Sequence, residues 1–159
     1  LPPNPRNGLF VSNNPINLWD PLGLAPDLNL FEPGTWMHDT ARRLPNDPAI
    51  YEVSGHGSKF GMTAGLADQI AKEIRENNPP KPGVPIFLLV CDAGAKRSDG
   101  LPNLAEALAD EFPDNPVYAP NAPIRYWDLN PFSPNNETSV TLEPLSIGAK
   151  MLRFSGGKK

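Results

Sequence analysis

The sequence predicts an α/β domain with a mainly parallel central sheet, and two patterns lead to this expectation. From residue 49 onward, short apolar runs alternate with segments of helical periodicity, which is typical of β-α units. The run Ile86 to Val90 is apolar without alternation, as expected for a central strand that is covered on both faces. A chain of 159 residues is expected to form one such domain around a single core.

The elements of this domain follow from apolar spacing and from the residues that interrupt it. Residues 49–54 form the first expected strand, and the loop SGHG follows directly. Between residues 63 and 77, Leu66, Ile70 and Ile74 recur every four positions, so one face of a helix is apolar. The prolines that follow Asn78 end this helix, because the residue before a proline avoids helical backbone. The later expected elements are the strand Ile86 to Val90, a helix from Pro102 to Phe112, the strand Val117 to Ala119, and a final β-pair of Val140 to Leu142 with Lys150 to Phe154.

The first 48 residues have a different composition. They contain nine prolines, with Asn and Asp between them, and neither a helical nor an alternating apolar period. We therefore expect an extended, turn-rich segment that is not a domain of its own. If its large apolar side chains were exposed, they would form a sizeable hydrophobic surface patch, so we expect them to pack partly against apolar surface. These side chains are Phe10, Trp19, Leu22 and Leu24.

Composition and charge argue against several function classes. The net charge is −4 and the pI is near 5.1, so the basic stripe of a duplex nucleic-acid binder is missing. No apolar run approaches the roughly 20 residues that a bilayer-spanning helix needs. One cysteine cannot form an intrachain disulfide, and one Cys with two His lacks the spacing of a zinc site. Since the sequence starts without Met or a charged-then-apolar leader, we expect it to be a piece of a longer chain.

His56 and Cys91 are the candidate catalytic residues. Each follows the carboxyl end of an expected parallel strand, and ligands of open α/β sheets bind beyond those ends. A thiol needs a neighbouring base to become a thiolate near neutral pH, and histidine titrates in that range. The amides of Gly57 and Cys91 are the expected oxyanion donors. The alternative interpretation is structural, with Cys91 as a buried core residue and His56 as an ordinary loop residue.

Two further residues are candidates for substrate binding. Asp92 follows Cys91 directly, and it can orient the histidine or line a pocket, as can Asp39 and Asp99. Trp127 suits the wall of a groove, although an aromatic side chain at such a position is as often part of the core. An acidic loop residue is also commonly only solvated. No metal ligand set and no cofactor are expected.

Residues 13–24 read NNPINLWDPLGL, and they closely resemble the NPIN…DPLGL junction that ends the core of bacterial Rhs-repeat polymorphic toxins. The resemblance implies that a variable C-terminal toxin domain follows. It also implies release by self-cleavage between Leu24 and Ala25, with Asp20 matching an aspartate of that junction. Such toxins take part in interbacterial competition as secreted effectors, as in type VI secretion, and reach the target-cell cytoplasm. The producer has a cognate immunity protein.

A second resemblance covers about residues 49–127. An apolar strand that ends in His-Gly, Val53 to Gly57, is followed one helix later by an apolar strand that ends in Cys, Phe87 to Cys91. This order resembles the caspase-like cysteine peptidases, which include self-processing domains of large bacterial toxins. The resemblance implies a three-layer caspase-like sandwich, with His56 as the general base and Cys91 as the nucleophile. No cofactor is carried over from it.

These observations predict three segments: a junction at 1–24, an extended Pro-rich lead-in at 25–48 and a peptidase toxin domain at 49–159. The expected function is a cysteine endopeptidase that cleaves a protein in a competing bacterium. The alternatives are another Rhs-borne enzyme, such as a nuclease or an ADP-ribosyltransferase, and a caspase-like binding module without turnover. The expected partners are the protein substrate, the immunity protein and the Rhs carrier core, with neither nucleic acid nor membrane among them.

Overall fold

The computed structural model describes residues 26–44, 47–57, 64–128, 138–142 and 149–157. Ten secondary-structure elements follow one another along these described residues. None of the helices among them has the length and apolar character that a membrane crossing requires. In chain order the elements are β1 (Leu28–Asn29), α1 (Trp36–Ala41), β2 (Tyr51–Gly55), α2 (Ala64–Asn77), β3 (Ile86–Val90), α3 (Leu104–Glu111), β4 (Val117–Pro120), β5 (Ile124–Asp128), β6 (Thr138–Leu142) and β7 (Met151–Phe154).

The central sheet has five strands in the order β1-β2-β3-β4-β7. The first four are parallel, and β7 pairs with β4 in the antiparallel direction at one edge. The strands β5 and β6 form a separate antiparallel pair. The predicted α/β class with a mainly parallel sheet is confirmed, as are the strands β2, β3 and β4 and the helices α2 and α3.

The two faces of the sheet carry separate apolar clusters. On one face, Val53 and Leu88 pack in a core that includes the apolar sides of α2 and α3. On the other face, Leu89 packs against a smaller cluster that contains Ala41 of α1 and Ile124 of β5. The alternation of side chains along a strand produces this division. The helices α2 and α3 cover one face of the sheet, and α1 with β5 covers the other. This arrangement is compatible with a three-layer sandwich.

The helix α3 begins at a capping box. The Asn103 side chain accepts a hydrogen bond from the Glu106 amide at 2.9 Å, and the Glu106 carboxylate accepts one from the Asn103 amide at 2.8 Å. These bonds satisfy two amides that a helix start leaves without partners. Pro102 therefore lies before the N-cap and outside the helix, so α3 begins two residues later than we expected.

The expected pairing of the C-terminal strands is wrong. Residues 138–142 and 151–154 are strands, but they do not pair with each other, because β6 pairs with β5 and β7 pairs with β4. Ala119 of β4 lies opposite Leu152 of β7. Both strands are short, and short strands of similar composition carry little information about their partners. The strand β5, which contains Trp127, was not predicted.

The expected lead-in at 25–48 also needs correction. Leu28 lies in β1 beside Val53 of β2, and Phe31 is buried on the α1 side of the sheet. Thr35 caps α1 by accepting a hydrogen bond from the His38 amide at 3.3 Å. The layers therefore begin before residue 49. A two-residue strand and a six-residue helix are too short to show a period in the sequence. The predicted anchors Phe10, Trp19, Leu22 and Leu24, and the junction residues Asp20 and Ala25, lie outside the described residues.

Candidate functional site

The two predicted catalytic residues follow the ends of neighbouring parallel strands. In the register of β2 and β3, Gly55 lies opposite Val90. His56 directly follows Gly55, and Cys91 directly follows Val90, so the two residues come after the same register position of the two strands. Neighbouring strands are about 4.8 Å apart, which is within the reach of these two side chains. The register confirms the expectation that the strands leading to His56 and Cys91 are neighbours in one parallel sheet.

Both side chains belong to the same face of the sheet. Leu88 packs with the helices α2 and α3, so alternation directs Leu89 and Cys91 to the face of α1 and β5. The His56 ring meets the Phe31 ring edge to face, with centroids 4.7 Å apart and an interplanar angle of 88°. Phe31 is a member of the apolar cluster against which Cys91 packs. The contact with Phe31 therefore places the imidazole on the same face of the sheet as Cys91.

The thiol of Cys91 is engaged by the backbone of β5. The Ile124 amide donates to the Cys91 sulfur at 3.4 Å, and the thiol donates to the Ile124 carbonyl at 3.7 Å. The side chain is partly exposed.

The backbone amides around the site differ in their availability. The Tyr51 amide donates to the Pro85 carbonyl, and the Ile86 amide donates to the Pro116 carbonyl before β4. Backbone amides along β3 therefore point alternately toward β4, as at Ile86, and toward β2. By that alternation the amide of Cys91 points toward β2, within the sheet. Gly57 lies beyond the last ladder pair of β2 and is partly exposed. Of the two predicted oxyanion donors, Gly57 is therefore the one outside the strand ladder.

Asp92 turns the chain immediately after Cys91. Its φ of 57° lies in the left-handed region, which Asp adopts more readily than most residues. Its amide donates to the Ala122 carbonyl at 3.2 Å, while its Oδ1 atom is buried and has no hydrogen-bond partner within the described part of the chain. A buried acceptor without a partner is costly, so this carboxylate oxygen beside Cys91 is a candidate to accept a hydrogen bond from a substrate.

The other predicted acidic residues lie with different partners. Asp39 is 3.4 Å from Nδ1 of His38 on α1. Asp99 accepts hydrogen bonds from Arg97, which hold the pKa of Asp99 near 2, well below its usual value. Neither contact involves His56. Trp127 lies in β5, and its side chain is not among those described.

Three residues of the site were missed by sequence analysis: Phe31, Ile124 and Ser54. Phe31 contacts His56, and Ile124 contacts Cys91. Both contacts join residues that are distant in the sequence, so no sequence spacing indicates them. Ser54 carries a weak signal, since it lies two positions before His56 and alternation places both on one face. Its hydroxyl is fully buried and has no hydrogen-bond partner among the described residues.

The opposite end of β2 carries a group of carboxyls. The Glu52 amide donates to Oδ2 of Asp27 at 2.8 Å. Burial, and to a smaller extent the charges of Asp27 and Asp47, raises the pKa of Glu52 to about 7. Burial also raises the pKa of Asp27 and of the Tyr51 phenol. Across the described residues, no group of three His, Cys, Asp or Glu side chains is placed to hold a metal ion.

We expect the stability of the fold to depend on pH through Glu52. Its pKa is higher in the folded chain than its ordinary value of 4.5, so the folded state binds the proton more tightly. The stabilisation is complete below pH 4.5 and is lost as the pH rises through about 7. We expect Glu52→Gln to melt at a higher temperature than the wild type above neutral pH, with the difference shrinking in acid. Melting curves across this range test it, with the exposed Glu76→Gln as control; a difference independent of pH would contradict it.

Comparisons with known proteins give one match. Residues 26–135 match the family described as a domain of unknown function, DUF8616. This range includes β1 through β5, and with them both His56 and Cys91. No curated protein and no solved structure matches the chain.

Proposed function

We propose that this chain, which belongs to the DUF8616 family, is a cysteine endopeptidase with Cys91 as its nucleophile and His56 as its general base. The observation that carries the proposal is the register of β2 and β3. It brings the only thiol of the sequence and an imidazole to adjacent strand ends on one face of the sheet. A nucleophile and its base at hydrogen-bond reach are what acyl transfer by a thiol requires.

The reaction follows from these groups. His56 takes the thiol proton of Cys91, and the sulfur attacks the carbonyl carbon of the scissile peptide. The amide of Gly57 donates to the oxygen on which negative charge develops. The carbon–nitrogen bond breaks, the leaving amine takes the proton from the His56 imidazolium, and a thioester remains. Water, deprotonated by His56, attacks the thioester and releases the acid and the free thiol. The amide of Ile124 stabilises the sulfur anion before attack.

The biological setting is proposed from the two resemblances. We assign the chain to the toxin tip of an Rhs carrier, with residues 1–24 as its junction and a caspase-like arrangement of the catalytic pair. Release between Leu24 and Ala25, entry into the target-cell cytoplasm and protection of the producer by an immunity protein follow from that assignment. The −4 net charge favours basic patches on such a protective partner.

Expression in susceptible cells tests the function directly. We expect the wild type to be toxic and to create new protein N-termini across the proteome, while Cys91→Ala does neither. Folding of the variant is checked by its melting temperature, which should stay close to that of the wild type. A folded and fully toxic Cys91→Ala would reject the peptidase and favour a nuclease or an ADP-ribosyltransferase on the same carrier.

A non-catalytic binding module is the second candidate, and one observation favours it. The Cys91 thiol has backbone partners on Ile124, as a structural cysteine would. The rate of alkylation by iodoacetamide separates the two functions. A catalytic Cys91 is expected to react within minutes near neutral pH in the folded chain, and more slowly in His56→Ala. A cysteine that reacts only when the chain is unfolded would favour the binding module.

A further inference from the structure

We propose that the outer edge of β7 binds an extended, basic segment of a protein partner as an added strand. In the central sheet, β7 pairs with β4 on one side, and no strand among the described residues pairs with its other side. A cavity of about 570 Å³ lies between this edge and α3, and we call it the edge groove. Its lining includes Leu101, Glu106 and Asp110 on the α3 side and Arg153, Phe154 and Ser155 on the β7 side.

The backbone of β7 has hydrogen-bonding groups that point out of the sheet. The Pro116 carbonyl, just before β4, accepts a hydrogen bond from Ile86 of β3 at 2.9 Å. Because the groups of a strand alternate between its two neighbours, Val117 directs its amide and carbonyl to β7, where its register partner is Phe154. Phe154 therefore faces β4, and the N–H and C=O groups of Arg153 face the edge groove. An extended segment laid along this edge can pair with them.

The two edges of the central sheet differ in how they are protected. At the other edge, β1 has two residues, and so short a strand offers few free groups. The four residues of β7 read MLRF, with three apolar side chains and no proline to block pairing. Phe154 packs with the core under α2 and α3, so alternation directs the Arg153 side chain to the opposite face. The edge of β7 is therefore the one open to another strand.

The α3 side of the edge groove selects the charge of that strand. Glu106 and Asp110 are exposed and four residues apart, which is about 6 Å along a helix axis. Their carboxylates accept hydrogen bonds from the amides of Asn103 and Gly157, and within the described part of the chain neither has a cationic partner. Alternate residues of a strand point to the same side and are about 6.6 Å apart. Two basic side chains in alternate positions therefore complement the two carboxylates.

The edge groove also offers apolar surface, and it is separate from the catalytic pair. Leu101, at the start of the groove, is 61% exposed and can be covered by an apolar side chain of the added strand. The groove lies on the α3 side of the sheet, whereas Cys91 packs on the face of α1 and β5. The segment that binds at β7 is therefore distinct from the peptide that reaches Cys91 and His56.

Peptide binding to the full chain tests the charge preference. The probe is a fluorescent nonapeptide of valine and threonine with lysine at two alternate positions, and its counterpart has glutamate there. In Cys91→Ala, which cannot cleave the probes, we expect the lysine peptide to bind at least about tenfold more tightly by fluorescence anisotropy. Adding Glu106→Gln and Asp110→Asn should abolish this preference, because the amide oxygens still accept the bonds from the backbone. Adding Glu76→Gln, on α2, should leave it unchanged.

Backbone pairing is tested with the same lysine peptide. Methylating the amide nitrogens of alternate residues removes either the N–H groups that face β7 or those that face away. We expect one methylated peptide to bind at least about tenfold more weakly and the other to bind like the parent. Arg153→Pro removes an N–H from the outer edge without removing a bond to β4, so it should also weaken binding. Arg153→Gln keeps that N–H and should bind normally.

The proposal is overturned if the lysine and glutamate peptides bind equally, if neither binds at millimolar concentration, or if the two methylated peptides behave alike. A dimer in size-exclusion chromatography that Arg153→Pro dissociates would assign this edge to a second copy of the chain and would also overturn the basic partner. Because the binding is measured without catalysis, a failure of the peptidase function leaves this test unaffected.

Discussion

Replacing Cys91 with alanine is expected to lower kcat/KM for peptide cleavage by at least about a thousandfold. His56→Ala and the double variant should fall to nearly the same residual activity. The reason is that a nucleophile and its base act as one unit, so that removing either removes the shared step and removing both costs little more. Steady-state cleavage of one peptide substrate by the three variants measures this. Losses that multiply in the double variant would show that the two residues act independently.

Two control variants sharpen this result. Cys91→Ser should be almost inactive, because a hydroxyl ionises far less readily than a thiol. His38→Gln changes the other histidine of the sequence, which lies on α1 beside Asp39, and it should keep most of the activity. The free energy of unfolding should change by about 1 kcal/mol or less in the Cys91 and His56 variants. An inactive His38→Gln that melts like the wild type would mean that the base has been assigned to the wrong histidine.

The largest expected effect on stability comes from Leu88→Ala. Leu88 is fully buried in β3, in the core formed with α2 and α3. Its truncation removes apolar burial and leaves a cavity, so the free energy of unfolding should fall by about 3 kcal/mol. Chemical denaturation with urea measures this, and the midpoint should move without a change in slope.

Leu101→Ala is the matched control for this change, because Leu101 is 61% exposed in the loop before α3. Its expected effect is about 0.5 kcal/mol or less. Leu88→Ala should also reduce toxicity through loss of folded protein, while purified folded material keeps its thiol reactivity. Equal destabilisation by the two variants would contradict the placement of β3 at the centre of the sheet.

The elements that the sequence predicted are those with a local signal. The β3 run is apolar throughout, and the four-residue spacing of Leu66, Ile70 and Ile74 marks α2. Such patterns arise because each element buries one face or both faces, and the buried positions carry apolar residues. The expectation that His56 and Cys91 follow two parallel strands needed only these patterns and the rule that ligands bind at strand ends.

By itself, the sequence determined the α/β class, the central strands and the helices α2 and α3. It also pointed to the strand ends at His56 and Cys91. Only the tertiary structure decided that α1 and β5 cover the cysteine face, that Phe31 contacts the imidazole and that Ile124 holds the thiol. It also decided that β7 pairs with β4. The physical reason is that periodicity reports which residues are buried, whereas the partner of a short strand or of a thiol depends on packing between segments far apart in the chain.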